Sequence, residues 1–122
     1  MSTERLYGEQ AGLLKAIAHP TRLRILDILC QGECCVCHLT AVLRQRQPCV
    51  SQHLMVLREN GLVLDRKDGV MVFYRLADPE ISTALAATRR LQRLSEGEPQ
   101  EWQVPASPVA GCTCPKCTQM LA

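Results

Sequence analysis

The sequence predicts a mainly α winged helix-turn-helix with a two-stranded β wing, assembled as a homodimer. Three observations predict it. Apolar stripes at helical spacing recur through the first half of the chain, two of them are joined by a very short connection before Pro48, and the pattern then changes to β-rich residues around Lys67-Asp68-Gly69.

The elements follow in order. Leu6, Leu13, Leu14 and Ile17 suit one face of a first helix, and Pro20 sits where a second can begin. Leu23, Ile25, Leu26, Ile28 and Leu29 give that second helix its buried side, and Gly32 punctuates its end. Val36, Leu39, Val42 and Leu43 mark a short third helix reaching about Arg44, with Cys34, Cys35 and Cys37 at its start. Pro48 suits the first turn of a fourth, in which Val50, Leu54 and Leu57 fall on one face and Ser51, Gln52, Met55 and Arg58 on the other. After Gly61, segments 62–66 and 70–76 read as strands of a hairpin, with Asp68-Gly69 as its turn. Ile81, Ala84, Leu85, Thr88, Leu91 and Leu94 then form an amphipathic last helix between Pro79 and Gly97. A domain of this size has a limited interior, so the stripes on the first and last helices are expected to complete their burial against a second copy.

The 122 residues hold 14 Lys and Arg against 12 Asp and Glu, and 47% are hydrophobic, which excludes wholesale disorder and a histone-like polycation. Affinity for nucleic acid must therefore rest on local charge. Residues 37–76 supply it, with six basic against three acidic side chains. Residues 1–95 are expected to form the DNA-binding and dimerisation domain. Residues 96–122, broken by Pro99, Pro105, Pro108 and Gly111, read as an irregular cysteine-containing tail. No apolar run approaches the roughly 18 residues that span a membrane, and the first residues lack a cationic, then apolar, leader. A cytoplasmic protein without a membrane partner is the expectation.

A recognition helix keeps its apolar side inward and offers short polar groups near its N-terminus, the end that enters the major groove. Gln47, Ser51, Gln52 and His53 meet this requirement on the fourth helix. Gln can pair with adenine through two hydrogen bonds, and Ser reaches several base edges. Arg58, Arg66 and Lys67, at the end of the helix and in the wing, suit phosphates. His53 can equally pack its ring against the scaffold.

Eight cysteines in a reducing compartment point to thiolates and metal ligation rather than a disulfide framework. Cys34, Cys35 and Cys37 form one group and Cys112, Cys114 and Cys117 a second, of C-x-C-x-x-C spacing, in the tail. Residues i and i+2 of an ideal helix lie about 200° apart, so Cys35 and Cys37 share an ion only if the first turn is unwound. Cys34 and Cys37 could share a face without distortion. Cys30 reads as a small core residue, and Cys49 as a residue of the opening of the fourth helix. All-sulfur sites select soft ions, which favours As(III), Sb(III), Cd(II) and Pb(II) over Ni(II) or Co(II).

Three segments together carry a resemblance: residues 18–26 (AHPTRLRIL), 33–39 (ECCVCHL) and 50–63 (VSQHLMVLRENGLV). They resemble the ArsR/SmtB family of bacterial metal-responsive repressors, over roughly residues 10–95. The resemblance implies a dimeric winged-helix repressor, not an enzyme, that binds operator DNA when apo and releases it when an inducer binds. It also implies Cys35 and Cys37 as inducer ligands, because the thiolate sensors of the family carry Cys-Val-Cys after a Glu here. Cys34 stands where an apolar residue is usual and His38 where an acidic one is. The family's zinc site on the last helix needs Asp and His ligands, which residues 83–94 lack. The expected function is a repressor released by a soft thiophilic inducer, As(III) or Sb(III) before Cd(II) or Pb(II), with Cys34 or the tail cysteines completing the site. A redox- or persulfide-sensing repressor using the same cysteines is the alternative, and a thiol reductase or metal-transfer protein is the weaker one.

Overall fold

The computed structural model describes residues 2–96 and residue 104. Five helices and three strands follow in the order α1 (Thr3–Ile17), α2 (Pro20–Cys30), β1 (Cys34–Cys35), α3 (Val36–Leu43), α4 (Gln47–Glu59), β2 (Val63–Asp68), β3 (Met71–Leu76) and α5 (Glu80–Glu96). Local chemistry sets the helix starts. Ser2 Oγ accepts from Arg5 N at 3.2 Å to cap α1, and His19 Nδ1 accepts from Thr21 N at 3.1 Å to cap α2 ahead of Pro20. Cys35 caps α3, its Sγ accepting from His38 N at 3.3 Å.

The sheet has one strand more than the sequence predicts. Cys34-Cys35 forms a two-residue strand that pairs with β3, giving the antiparallel order β1-β3-β2. A strand of two residues has no periodicity to read, so these cysteines looked like the start of α3. The hairpin turn is also displaced. Asp68 pairs with Met71, which leaves Gly69 and Val70 at the turn, and Gly69 supplies the positive φ of 60°.

Ile25, Leu26, Ile28, Leu39, Val50, Leu54, Leu57 and Val63 are fully buried and form the centre of the core, where α2, α3, α4 and the sheet meet. α5 lies on α2, where Leu85 is buried and Arg89 is ion-paired with Asp27. Helices α1 and α5 keep much of their apolar surface outside: Leu6, Tyr7 and Leu14 on α1 are 54–64% exposed and Leu91 on α5 is 66% exposed. Leu23, expected inside, is also partly exposed. Among the described residues no helix is long and apolar enough to cross a membrane.

Candidate functional site

Helix α4 divides as its sequence predicts. Val50, Leu54 and Leu57 are 0% exposed, whereas Gln47, Ser51, Gln52 and Arg58 face outward. The turn before it is tight. Arg44 closes α3 in the left-handed conformation (φ 53°, ψ 40°), and Arg46 caps α4 without a side-chain hydrogen bond. The first turn of α4 contains no acidic residue, so its free N–H groups keep their attraction for anions. His53 is half-buried. Its Nδ1 accepts from Arg22 Nε at 3.2 Å, and its ring centroid lies 4.4 Å from that of His19. Burial lowers its pKa, and the neighbouring His19 and Arg22 add to the effect.

The cations assigned to phosphate differ in availability. Arg66 grips Glu33 with Nε 2.9 and 3.0 Å from the two carboxylate oxygens and Nη2 at 2.6 Å, and its guanidinium stacks 4.5 Å from the Phe73 ring centroid. The hydrogen bonds from Arg66 hold the Glu33 carboxyl below the ordinary glutamate value, and Glu33 in turn raises Arg66. Arg58 Nη1 lies 3.0 Å from Asp65 Oδ2. Lys67 makes no ion pair among the described residues, and neither do Arg44 and Arg46. These two arginines were not assigned to DNA from the sequence. Their place in the short connection between two helices of a helix-turn-helix is the signal that could have found them.

The three clustered thiols separate. Successive residues of a strand point to opposite faces, and Cys34 accordingly enters the main core, its thiol 3.5 Å from the Gly32 carbonyl oxygen. Cys35 lies in a second cluster with Cys37, Ala41, Met71 and Phe73. Cys35 is outside the helix in extended conformation (φ −79°, ψ 160°), so the 200° separation of an ideal helix does not apply to it and Cys37. Both line a cavity of about 200 Å³ together with Val36, Thr40, Gln47 and Val70 to Val72. That cavity joins the thiols to the first residue of α4 and to the tip of the wing. Among the described residues no three His, Cys, Asp or Glu side chains gather as a metal-holding group, so Cys34, Cys35 and Cys37 do not form one. Cys112, Cys114 and Cys117 lie outside the described residues. Cys30, expected in the core, is exposed because it ends α2 beyond the buried Ile28 and Leu29, and its Sγ accepts from Ser82 Oγ at 3.0 Å. Cys49 is exposed at the opening of α4.

Comparison with known proteins agrees with this architecture. Residues 19–64 match the family described as bacterial regulatory protein, arsR family. The chain is 53% identical over 66 residues to the arsenical resistance operon repressor of Escherichia coli (strain K12), a match covering 53% of this chain and 56% of that protein. It is 45% identical over 84 residues to the biofilm growth-associated repressor of Agrobacterium fabrum, covering 69% of this chain and 72% of the relative. In structure it is similar to the homodimeric winged helix-turn-helix DNA-binding domain of a possible ArsR-family transcriptional regulator from Mycobacterium bovis, with a TM-score of 0.70 and 28% identity, covering 84% of this chain and 97% of that one.

Proposed function

The chain belongs to the ArsR family of bacterial transcriptional regulators, which are not enzymes, and from that premise we propose that it is a homodimeric operator-binding repressor released by a soft metal or metalloid. Cys35 and Cys37 supply two thiolates to the inducer and the tail cysteines Cys112, Cys114 and Cys117 supply the rest. As(III) or Sb(III), content with three sulfurs, is preferred over Cd(II) or Pb(II). The observation that carries this reading is the shared cavity of Cys35 and Cys37, whose other walls include Gln47 and the wing tip. Drawing the two sulfurs together moves the start of α3 and strand β1, and β1 is hydrogen-bonded to the wing strand β3. A coupling of roughly 2–3 kcal/mol would lower operator affinity about 30- to 150-fold.

The tail is favoured over Cys34 as the source of the third sulfur because Cys34 points into the apolar core, where its extraction would leave a void. Val104 packs against that core, and the eight residues from there to Cys112 span up to about 28 Å when extended. Gln47, Ser51, Gln52 and His53 read bases, while Lys67 holds phosphate in the wing. Arg58 reaches phosphate only by giving up Asp65, a modest cost for so exposed a pair, whereas Arg66 must give up its bidentate hold on Glu33 and its pair with Asp68. Dimerisation covers Leu6, Tyr7, Leu14 and Leu91, and the M. bovis neighbour, described as homodimeric, supports it.

Titration of the reduced full-length protein with arsenite, cadmium and zinc, followed by release of labelled operator DNA, tests the proposal. Release at the lowest concentration by arsenite is expected. Release by an oxidant or a polysulfide but by none of the three ions would replace the metalloid with a redox signal.

A further inference from the structure

We propose that Arg22 is a positioning residue for DNA reading: it holds His53 of the recognition helix in one ring orientation and one tautomer, and ties it to the end of α1. The inference rests on the DNA-reading role proposed for α4. Arg22 lies in the first turn of α2, half-buried, and reaches three acceptors. Its Nε donates to His53 Nδ1 at 3.2 Å, and its Nη1 donates to the Ala16 carbonyl oxygen at 3.1 Å and approaches that of Lys15 at 3.5 Å. The two carbonyls belong to the last turn of α1, where no intrahelical N–H remains to satisfy them.

A guanidinium stays protonated and has no acceptor, so the direction of the Arg22–His53 hydrogen bond is fixed by chemistry. Nδ1 must be the accepting nitrogen, and in the neutral ring the hydrogen is on Nε2. The His19 ring, itself oriented by accepting from Thr21 N, packs 4.4 Å away and limits rotation of His53. Burial and the two basic neighbours disfavour the doubly protonated ring. His53 therefore meets DNA as a hydrogen-bond donor through Nε2. The acceptors that suit it are purine N7, guanine O6, thymine O4 and phosphate oxygen. Lysine keeps the charge but lacks the planar fork that serves His53 and the α1 carbonyls at once.

The test uses full-length reduced protein and the duplex that the wild-type protein enriches from a random DNA pool. Arg22→Lys should still melt cooperatively and bind random DNA within about twofold, yet lose roughly tenfold in affinity for the enriched duplex. In ¹⁵N-histidine NMR spectra, His53 of the wild-type protein should appear as the single Nε2–H tautomer, and Arg22→Lys should turn it into a mixture. Against a His53→Ala background the same substitution should cost nothing further. An unchanged affinity and tautomer in Arg22→Lys, or an equal loss with His53 removed, would overturn the proposal. So would a wild-type His53 bearing its hydrogen on Nδ1, a result that needs no variant. If the wild-type protein enriches no duplex, the DNA-reading role of α4 itself fails; if it does and Arg22→Lys matches it, only the positioning role fails.

Discussion

Gln52 has no part in the core: it is exposed on α4, on the side away from Val50, Leu54 and Leu57. Gln52→Ala should therefore leave the fold intact and reduce discrimination between operator and random DNA by about 1–3 kcal/mol, read from competition binding. Lys67→Ala should instead weaken both and flatten the salt dependence. His53 behaves differently because it is partly inside. Burial, with help from His19 and Arg22, puts its pKa below the ordinary 6.5. As pH falls past that value the unfolded chain takes up this proton before the folded one. Its contribution to stability, full above the ordinary value, is then lost down to the lowered folded value. Thermal melts between neutral and mildly acid pH should show this loss, and His53→Gln should reduce the slope. The two roles of a histidine in such a run, solvated reader or packed ring, were both visible in the residue string. The Arg22 contact, from 31 residues away, shows the packed side of His53, which no spacing in the string could give.

Among the elements, the helices were legible because each is long enough to repeat an apolar stripe, and the recognition helix has the exposed and buried faces its spacing implies. Strand β1 was not, since its two residues acquire a strand's alternation only by pairing with Tyr74 and Phe73. That pairing is also what sends Cys34 to the core and Cys35 toward Cys37, so the division of the thiols could not be read from spacing. The same strand follows Glu33, which anchors the wing through Arg66. Glu33→Gln removes the carboxylate that competes with phosphate for Arg66 and should strengthen random-DNA binding at low salt. Anisotropy titrations would show it, and an unchanged affinity would mean that Arg66 reaches no phosphate. On α5, Leu91 lies on a surface that this chain alone leaves open. Leu91→Glu should shift the protein toward monomer in sedimentation and weaken operator binding in parallel; an intact dimer would remove α5 from the seam.

In the whole molecule, three regions that the sequence keeps apart come together: the thiols at residues 35 and 37, the start of α4 at Gln47, and the wing tip at Val70. Their meeting at one cavity means that an ion held there needs no long route to the DNA-reading surface. In the proposed reading the tail donates ligands. Truncation before Gly111 removes Cys112, Cys114 and Cys117 and spares the described core, so it should weaken induction and lower the sulfur count around arsenic in X-ray absorption. The most direct measurement of the central claim is operator affinity with and without arsenite for the reduced wild-type protein and for Cys35→Ser and Cys37→Ser. A serine hydroxyl is a hard, protonated donor in place of a soft thiolate. Both variants should bind operator as the wild type does and keep it in arsenite, while the wild type releases it about 30- to 150-fold more weakly bound. Release of both variants at the wild-type arsenite concentration would contradict the account.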